Sequence, residues 1–508
     1  MAVNTFIDRQ TDKIQGVLSC FDRVVLNGTI PGICYAQGMT AFLNAKRIRI
    51  FDFQEWAKPL KNEIRTNAEY IAQENGLEID FIKKQKDHSK EACIQKILRH
   101  RGHHPGLVHI FSAMESCTEY KPWHNKKTHE TYLKTQSGRC LHYYFYFILP
   151  ELGLCYLRVP TWAPFRLQFY FNGHNELAAR LAKKGLGYQT LDNAFAYLED
   201  YDMAQALADD LNIKRLHRQL DKIVKQYCPV IRHFQPNYHW SFMQVEYATD
   251  IVFHHRKDLT FFYDQIIRTA THSVKPENIA TFLGRKLHGN YQDEMGTRFS
   301  TRVEGTCLKH RMGNVAIKMY DKHGLILRIE TVANDISFFK HHRRVEHRDG
   351  TFEMKVAPLK KSIYSLSLLS ELMGDANRRY IQFISVIDDP SSGIKDLDRI
   401  SAPVKDKDRN YRGFNFFSGD DLALFRVMIR GEFNISGFQN KMLRMHLPGK
   451  TPNQISRMIK RLRKHGLIKK VAHCYKYYLT TLGRKVTATA LKLREMVVIP
   501  QLAGIGTL

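Results

Sequence analysis

The residues with the greatest chemical potential lie between Arg302 and Glu330, in the stretch RVEGTCLKHRMGNVAIKMYDKHGLILRIE. Arg302 and Glu304, Lys318 and Tyr320, and Arg328 and Glu330 are each two residues apart. In a β-strand that spacing puts both side chains of a pair on one face. If the three faces coincide, two carboxylates, three cations and a tyrosine share one open surface of a sheet. A phenol with a pKa of about 10 ionises near neutrality only beside a cation or a metal, and carboxylates are the groups that hold hard divalent cations. A cross-strand ion-pair network around a structural tyrosine is the other reading of the same residues.

The elements that must position this set are short. Turn-like His310–Asn314 and Asp321–Gly324 divide the stretch into a three-stranded antiparallel meander, with Val315, Ile317, Met319, Leu327 and Ile329 facing a core. Around it, 508 residues with 44% hydrophobic content suffice for several domains. The 77 Lys and Arg against 50 Asp and Glu make an anionic partner, nucleic acid first, the leading expectation. Residues 419–508 carry 17 of those cations against 4 acids, so the surplus is concentrated at the C-terminus. Nine scattered cysteines without a CxxC pair read as reduced thiols in a cytoplasmic protein. The start of the chain lacks a signal-peptide core, and no apolar run is long enough for a membrane span.

The expected fold class is α+β and multidomain. Residues 1–111 alternate strands at Asp22–Leu26, Ile48–Phe51, Glu78–Phe81 and Leu107–Phe111 with helices at Ile33–Ala45, Phe53–Gln73 and Glu91–Arg99, a pattern that predicts a parallel α/β domain. No Gly-rich phosphate loop follows any of these strands, so no nucleotide cofactor is indicated. Residues 112–211 read as aromatic strands (Cys140–Leu149, Gly153–Val159, Phe165–Phe171) and a helix. There Tyr144, Tyr146, Trp162, Arg166, Tyr170 and His174 are either core or a stacking platform for bases. Residues 212–388 read as helices plus the meander. Trp240–Phe253 is taken as a buried helix on which Glu246, Asp250 and His254 share a face, as metal ligands or as ordinary hydrogen-bonding groups. Phe338–Lys361 reads as a charged hairpin around Asp349-Gly350, solvated or phosphate-contacting, and Ile363–Ile387 as helix. Residues 389–412 read as a linker.

In residues 413–508, helices are expected at Asp420–Ile429, at Gly437–Met445 and from Thr451, which caps a helix opening on Pro452 and ending at Gly466. Leu467–Val471 and Tyr475–Leu479 form a hairpin around Ala472-His473-Cys474, and Thr480–Arg494 closes the module. The segments SRMIKRLRKHGLIKKV and YKYYLTTLGRKV resemble MarR-type winged-helix DNA-binding domains. The resemblance implies that the third helix enters a major groove, with Asn453, Gln454, Ser456 and Arg457 at base edges. Lys460, Arg461, Lys464, Lys469, Lys470 and Lys476 would then contact phosphates.

In the central part, IKMYDK followed by LRIE resembles a pattern in replication initiators of rolling-circle plasmids and filamentous phages, which nick one DNA strand with a tyrosine and a divalent metal. The resemblance implies Tyr320 as nucleophile, Lys318 and Arg328 as partners of the phosphate, and Glu304 and Glu330 as ligands of Mg²⁺ or Mn²⁺. The chain departs from the larger class of nickases with a His-x-His metal motif, since it has none. The resulting expectation is a DNA-binding, initiator-like or transposition-associated protein of a mobile element. A noncatalytic transcriptional regulator and an RNA-binding protein are the alternatives, and a dimer would suit a palindromic operator.

Overall fold

The computed structural model describes residues 5–503 apart from 83–89, 236, 288–290, 303–304, 348, 389–390, 431, 434–436 and 472–474. It divides into two compact units, Met1–Asp388 and Asp389–Leu508. The first is built on a single eleven-stranded mixed sheet. Its strands are β1 (Ile14–Thr29), β2 (Ile79–Phe81), β3 (Gly106–His124), β4 (Thr131–Leu149), β5 (Gly153–Pro160) and β6 (Leu167–Phe171). After a small separate hairpin, β7 (Tyr188–Thr190) and β8 (Phe195–Leu198), the sheet continues with β9 (His239–Phe253), β10 (Met295–Arg302), β11 (Gly305–Met312), β12 (Val315–Lys322) and β13 (Ile326–Ala333). The strand order is β10-β11-β12-β13-β9-β1-β6-β5-β4-β3-β2.

Apart from the edge strand β2, which has no counterpart, that order reads the same from both sides of its centre. A long strand (β1) leads into helices and then the antiparallel run β3-β4-β5-β6, whose last member returns to pair with β1. In the second half β9 leads into helices Arg256–Ser273 and Pro276–Phe282 and then β10-β11-β12-β13, and β13 returns to β9. The two leading strands pair with each other, antiparallel, at the centre. Among the described residues only β2 lies parallel to its neighbour, so the parallel sheet expected for residues 1–111 is corrected to a largely antiparallel one. The strand expected at Ile48–Phe51 is instead a 3-10 turn, Ile50–Asp52. The expected domains 1–111, 112–211 and 212–388 all contribute strands to this one sheet.

The meander forms with the expected turns, and Gly313 and Gly324 both take positive φ there. Val315, Ile317, Met319, Leu327 and Ile329 enter the main core, on the sheet face covered by helices that include Phe53–Glu74, Ile213–Tyr227 and Leu366–Asp388. Trp240–Phe253 is strand β9 and not a helix. It is the central strand between β1 and β13, and a strand buried on both faces shows a continuous apolar run that periodicity cannot separate from a buried helix. On the opposite face, helices Gly173–Lys184 and Tyr201–Asp209 cover Leu18 and Cys20 of β1. Helix Lys90–Arg101 covers Tyr144 and Tyr146 of β4. Among the described residues no helix is long and apolar enough to cross a membrane.

In the second unit the stretch expected as a linker carries helix Ser391–Ser401 and a small hairpin, Val404–Asp406 with Arg409–Tyr411. Helices Gly419–Met428, Asn440–His446, Pro452–Lys464 and Thr481–Lys492 and the hairpin Ile468–Lys470 with Tyr477–Leu479 follow around a separate core. Thr451 caps its helix as expected, in a reciprocal box with Gln454.

Candidate functional site

On β12 and β13, Lys318 stands opposite Glu330 and Tyr320 opposite Arg328, so the paired faces of the two strands coincide. Even spacing has the same consequence on β9, where Glu246 and Asp250 share a face in a strand as they would in a helix. The third strand to contribute is β1. Its pairing with β9 slips between Phe21 and Arg23, and both Phe21 and Val24 point into the main core. Alternation from Phe21 turns Asp22 to the other face, with Leu18 and Cys20, and the β-bulge lets Arg23 follow it there before Val24 returns to the core. Asp22, Glu246 and Glu330 come together there, with one carboxylate oxygen of each within 4.8 Å of the others.

The hydrogen bonds define which atoms are committed. The Tyr320 hydroxyl donates to Glu330 Oε2 at 2.8 Å, and Lys318 Nζ donates to Glu330 Oε1 at 3.3 Å while lying 3.8 Å from Glu246 Oε1. Gln244, two residues along β9, donates to Glu246 Oε1 at 3.1 Å. Glu330 is buried, whereas Lys318, Tyr320 and Glu246 are half-buried, so the group opens to solvent on one side only.

Arg328 corrects an expectation. It is fully buried and grips Asp250 through two bonds, Nε to Oδ1 at 2.6 Å and Nη2 to Oδ2 at 2.7 Å, with a third to the Asn193 carbonyl at 2.7 Å. Its Nη1 lies 3.3 Å from Asp22 Oδ1. A guanidinium so engaged holds carboxylates in place and has no face left for a phosphate. His174 stands between the same two acids, 3.1 Å from Asp22 and 3.2 Å from Asp250, and Asn172 and Asn193 donate to Asp22 at 3.3 and 2.6 Å. Glu304 lies outside the described residues, as does the side chain of Arg302.

The charges are unbalanced in a telling way. Burial opposes ionisation of Asp22, yet Arg328 and His174 hold its carboxyl well below the usual range. Glu246 behaves oppositely: burial and the adjacent Glu330 carboxylate push it up to about 8, against the pull of Lys318. Burial and Glu330 also raise the Tyr320 phenol well above its ordinary value, so on its own it stays protonated. Asp22 is already held by Arg328 and His174, and Glu246 and Glu330 share Lys318; with Glu246 deprotonated, the three carboxylates would offer the oxygen donors that suit a hard divalent cation such as Mg²⁺ or Mn²⁺.

Of the two readings of the aromatic set, core and stacking platform, Tyr144 and Tyr146 follow the first. Tyr144 and Tyr146 are buried on β4, Trp162 packs against Phe53 on the main core side, Arg166 donates to the Cys34 carbonyl, and His174 belongs to the acid cluster. A smaller stack survives, Tyr156 on Tyr170 at 5.0 Å with Arg23 above Tyr170 at 5.6 Å.

In the second unit Asn453, Gln454, Ser456 and Arg457 are exposed at the start of helix Pro452–Lys464. The Gln454 side chain accepts from the Thr451 amide at 2.7 Å, so it serves the cap, and Ser456 accepts from Asn440 at 2.8 Å. Arg461 is corrected from phosphate contact to structural anchor: it is buried, bonded to Asp421 at 2.6 and 3.0 Å, and stacked on Phe414 at 3.8 Å. Lys464 pairs with Asp406 at 2.8 Å, and Lys460 lies 5.7 Å from the Tyr411 ring centre. Lys469 and Lys470 are exposed on the hairpin, and Lys476 lies beside Tyr478. Arg409, Asn410, Tyr411 and Arg412, from the stretch expected as linker, line one concavity with Asn453, Ser456 and Arg457.

No known family, curated protein or solved structure matches this chain. The reading therefore rests on the residues. Asp22 and Glu246 are the members of the carboxylate cluster that sequence reasoning missed or placed on a helix. The available signal was an acid inside an otherwise apolar strand, FDRVVL for one and QVEYATDIVF for the other.

Proposed function

We propose that this is a DNA-binding protein that cleaves one strand of the DNA it binds, in the manner of an initiator or transposition-associated protein of a mobile element. The observation that carries the reading is the Tyr320 hydroxyl held on Glu330 beside the Asp22, Glu246 and Glu330 carboxylates. Those three would hold Mg²⁺ or Mn²⁺, which when bound supplies charge neutralisation at the phosphoryl oxygens and favours the phenolate. Glu330 Oε2 takes the Tyr320 proton along the bond already present, and the phenolate oxygen forms a bond to phosphorus as the bond from phosphorus to one sugar oxygen breaks. The departing oxygen takes a proton from water, and the other strand end stays on Tyr320. Lys318 balances the charge of the acids, and Arg328 with His174 keeps Asp22 in position.

In this reading Asp389–Leu508 is a winged-helix module, a second domain of a cytoplasmic protein. Helix Pro452–Lys464 lies in the major groove with Asn453, Ser456 and Arg457 at base edges, and Lys460, Lys464, Lys469, Lys470 and Lys476 at phosphates. A noncatalytic regulator is the second reading, favoured by the depth of the ion pairs around Arg328. The experiment is incubation of the full chain with supercoiled DNA and Mg²⁺ or Mn²⁺. Metal-dependent nicking that disappears in Tyr320→Phe supports cleavage, and binding without nicking supports the regulator. Tighter binding to structured RNA than to duplex DNA at matched salt moves the partner to RNA.

A further inference from the structure

Seven residues after Ala333, at the end of the strand that carries Glu330, the chain enters a two-stranded ribbon, β14 (Lys340–Glu346) and β15 (Phe352–Pro358). Directly opposed residues share a face, and the register sets Glu346 against Phe352, Arg344 against Met354 and His342 against Val356. All six are exposed. Phe352, Met354 and Val356 show 52%, 57% and 64% of their surface to solvent, a row of large apolar side chains. The Arg344 guanidinium lies 3.6 Å from the centre of the Phe352 ring.

An apolar row on a free two-stranded ribbon invites association, and folded proteins ordinarily blunt it. Its retention asks for a partner, and the charge around it says which kind. Lys340, Arg343, Arg344, Lys355, Lys360 and Lys361 lie on the ribbon and at its base, against Glu346 opposite Phe352; Lys361 is paired with Asp335 at 2.9 Å, and Glu353 with Lys355 at 2.9 Å and His347 at 3.2 Å. A polyanion with flat apolar faces in its interior answers both features. Phe and Met are among the side chains that wedge between base steps, and the neighbouring cations would take the phosphates.

The ribbon is also placed to matter. Buried Phe339 and Leu359 join its base, and Ser362 bridges Ser241 on β9, five residues from Glu246 or about 17 Å by strand rise. Each arm is long enough to extend about 24 Å.

We propose that the ribbon β14–β15 opens duplex DNA next to the carboxylate site, with Phe352, Met354 and Val356 replacing a stacked base and the flanking cations holding the separated backbones. This rests on the strand-cleaving reading and adds how a single strand reaches Tyr320. The test uses the full chain and one circular DNA carrying its own coding region and flanks, prepared both supercoiled and single-stranded. Thymines unpaired by the protein are read with permanganate, and cleavage is read separately in Mn²⁺.

The triple variant Phe352→Ala, Met354→Ala, Val356→Ala alters only exposed side chains, and its thermal unfolding should match the wild type. It should lose permanganate reactivity and cleave the supercoiled form roughly tenfold more slowly or worse, with the single-stranded form cleaved at the wild-type rate. Phe352→Trp, which keeps an aromatic wedge, should retain opening. Opening by the triple variant equal to wild type, an equal loss on both forms, or no opening by wild type overturns the proposal. So does a change of oligomeric state in the triple variant with opening intact, which would make the ribbon a contact between copies. Opening without cleavage of either form leaves the ribbon standing and removes the strand-cleaving reading.

Discussion

The two halves of the central sheet share a strand order but treat charge differently. In the β1–β6 half the carboxylate facing the corresponding side, Glu115 on β3, accepts from the Tyr144 hydroxyl at 2.7 Å, pairs with Arg158 at 2.7 Å and has Lys90 at 3.7 Å. Burial would raise it, but Tyr144 and Arg158 bring it below the ordinary value. In the β9–β13 half, Glu246 and Glu330 with Asp22 have Lys318 among them, and Glu246 rises to about 8. One acid with two cations is a structural pair. Glu246 and Glu330 share Lys318 while Arg328 and His174 hold Asp22, so the proton that Glu246 retains is the one a divalent cation would displace, beside the tyrosine such a cation would activate.

The sharpest way to break the comparison is through the arginine of each half. Arg328→Met should destabilise the first unit by about 3–5 kcal/mol, because Asp250 and Asp22 stay buried without their partner. Arg158→Met should cost about 1 kcal/mol or less, since Glu115 is partly exposed and keeps Tyr144 and Lys90. Denaturant unfolding of both variants measures the difference.

Metal affinity comes next. Calorimetry with Mn²⁺ should show Asp22→Asn and Glu330→Gln binding on the order of a hundredfold more weakly than wild type, and Glu115→Gln within about twofold of it. The pH dependence is gentler and has a definite sign. The cation must displace the proton that the pair of glutamates retains, so Mn²⁺ affinity should climb as pH rises toward about 8 and flatten above it, with a proton released on binding. In the ion-free protein the raised Glu246 makes the native state the better proton binder, so stability should fall as pH rises from the ordinary carboxyl range to about 8. The smallest effect is expected from Tyr156→Phe, which removes one hydroxyl from the ring cluster with Tyr144, Tyr146 and Tyr170 and should change cleavage by less than about twofold.

The meander was legible because its alternation is clean: Val315, Ile317 and Met319 leave Lys318 and Tyr320 no choice of face. The same holds for helix Pro452–Lys464, whose start is written in Thr451-Pro452 and whose end lies at Gly466, with φ of 73°. Depth was not legible. A period of two tells which side Arg328 takes and says nothing of the helices, asparagines and histidine that close over it, and Arg461 on its helix was misjudged for the same reason. Asp22 was out of reach for another cause. It arrives from the other half of the sheet, more than two hundred residues from Glu246, by a strand pairing that no local pattern announces. The repeat itself is one of topology, carried by which strands pair and not by recurring residues, and long-range pairing leaves no local mark.

The central claim is that Tyr320, beside a carboxylate-held cation, becomes bonded to the DNA it cuts. The direct measurement is to incubate the full chain with end-labelled DNA and Mn²⁺, denature it fully and ask whether label migrates with the protein. The account predicts labelled wild-type protein, with the label on the peptide containing Tyr320, and none in Tyr320→Phe or when the metal is chelated. Label retained by Tyr320→Phe, or DNA cut by wild type with no label on the protein, would contradict it.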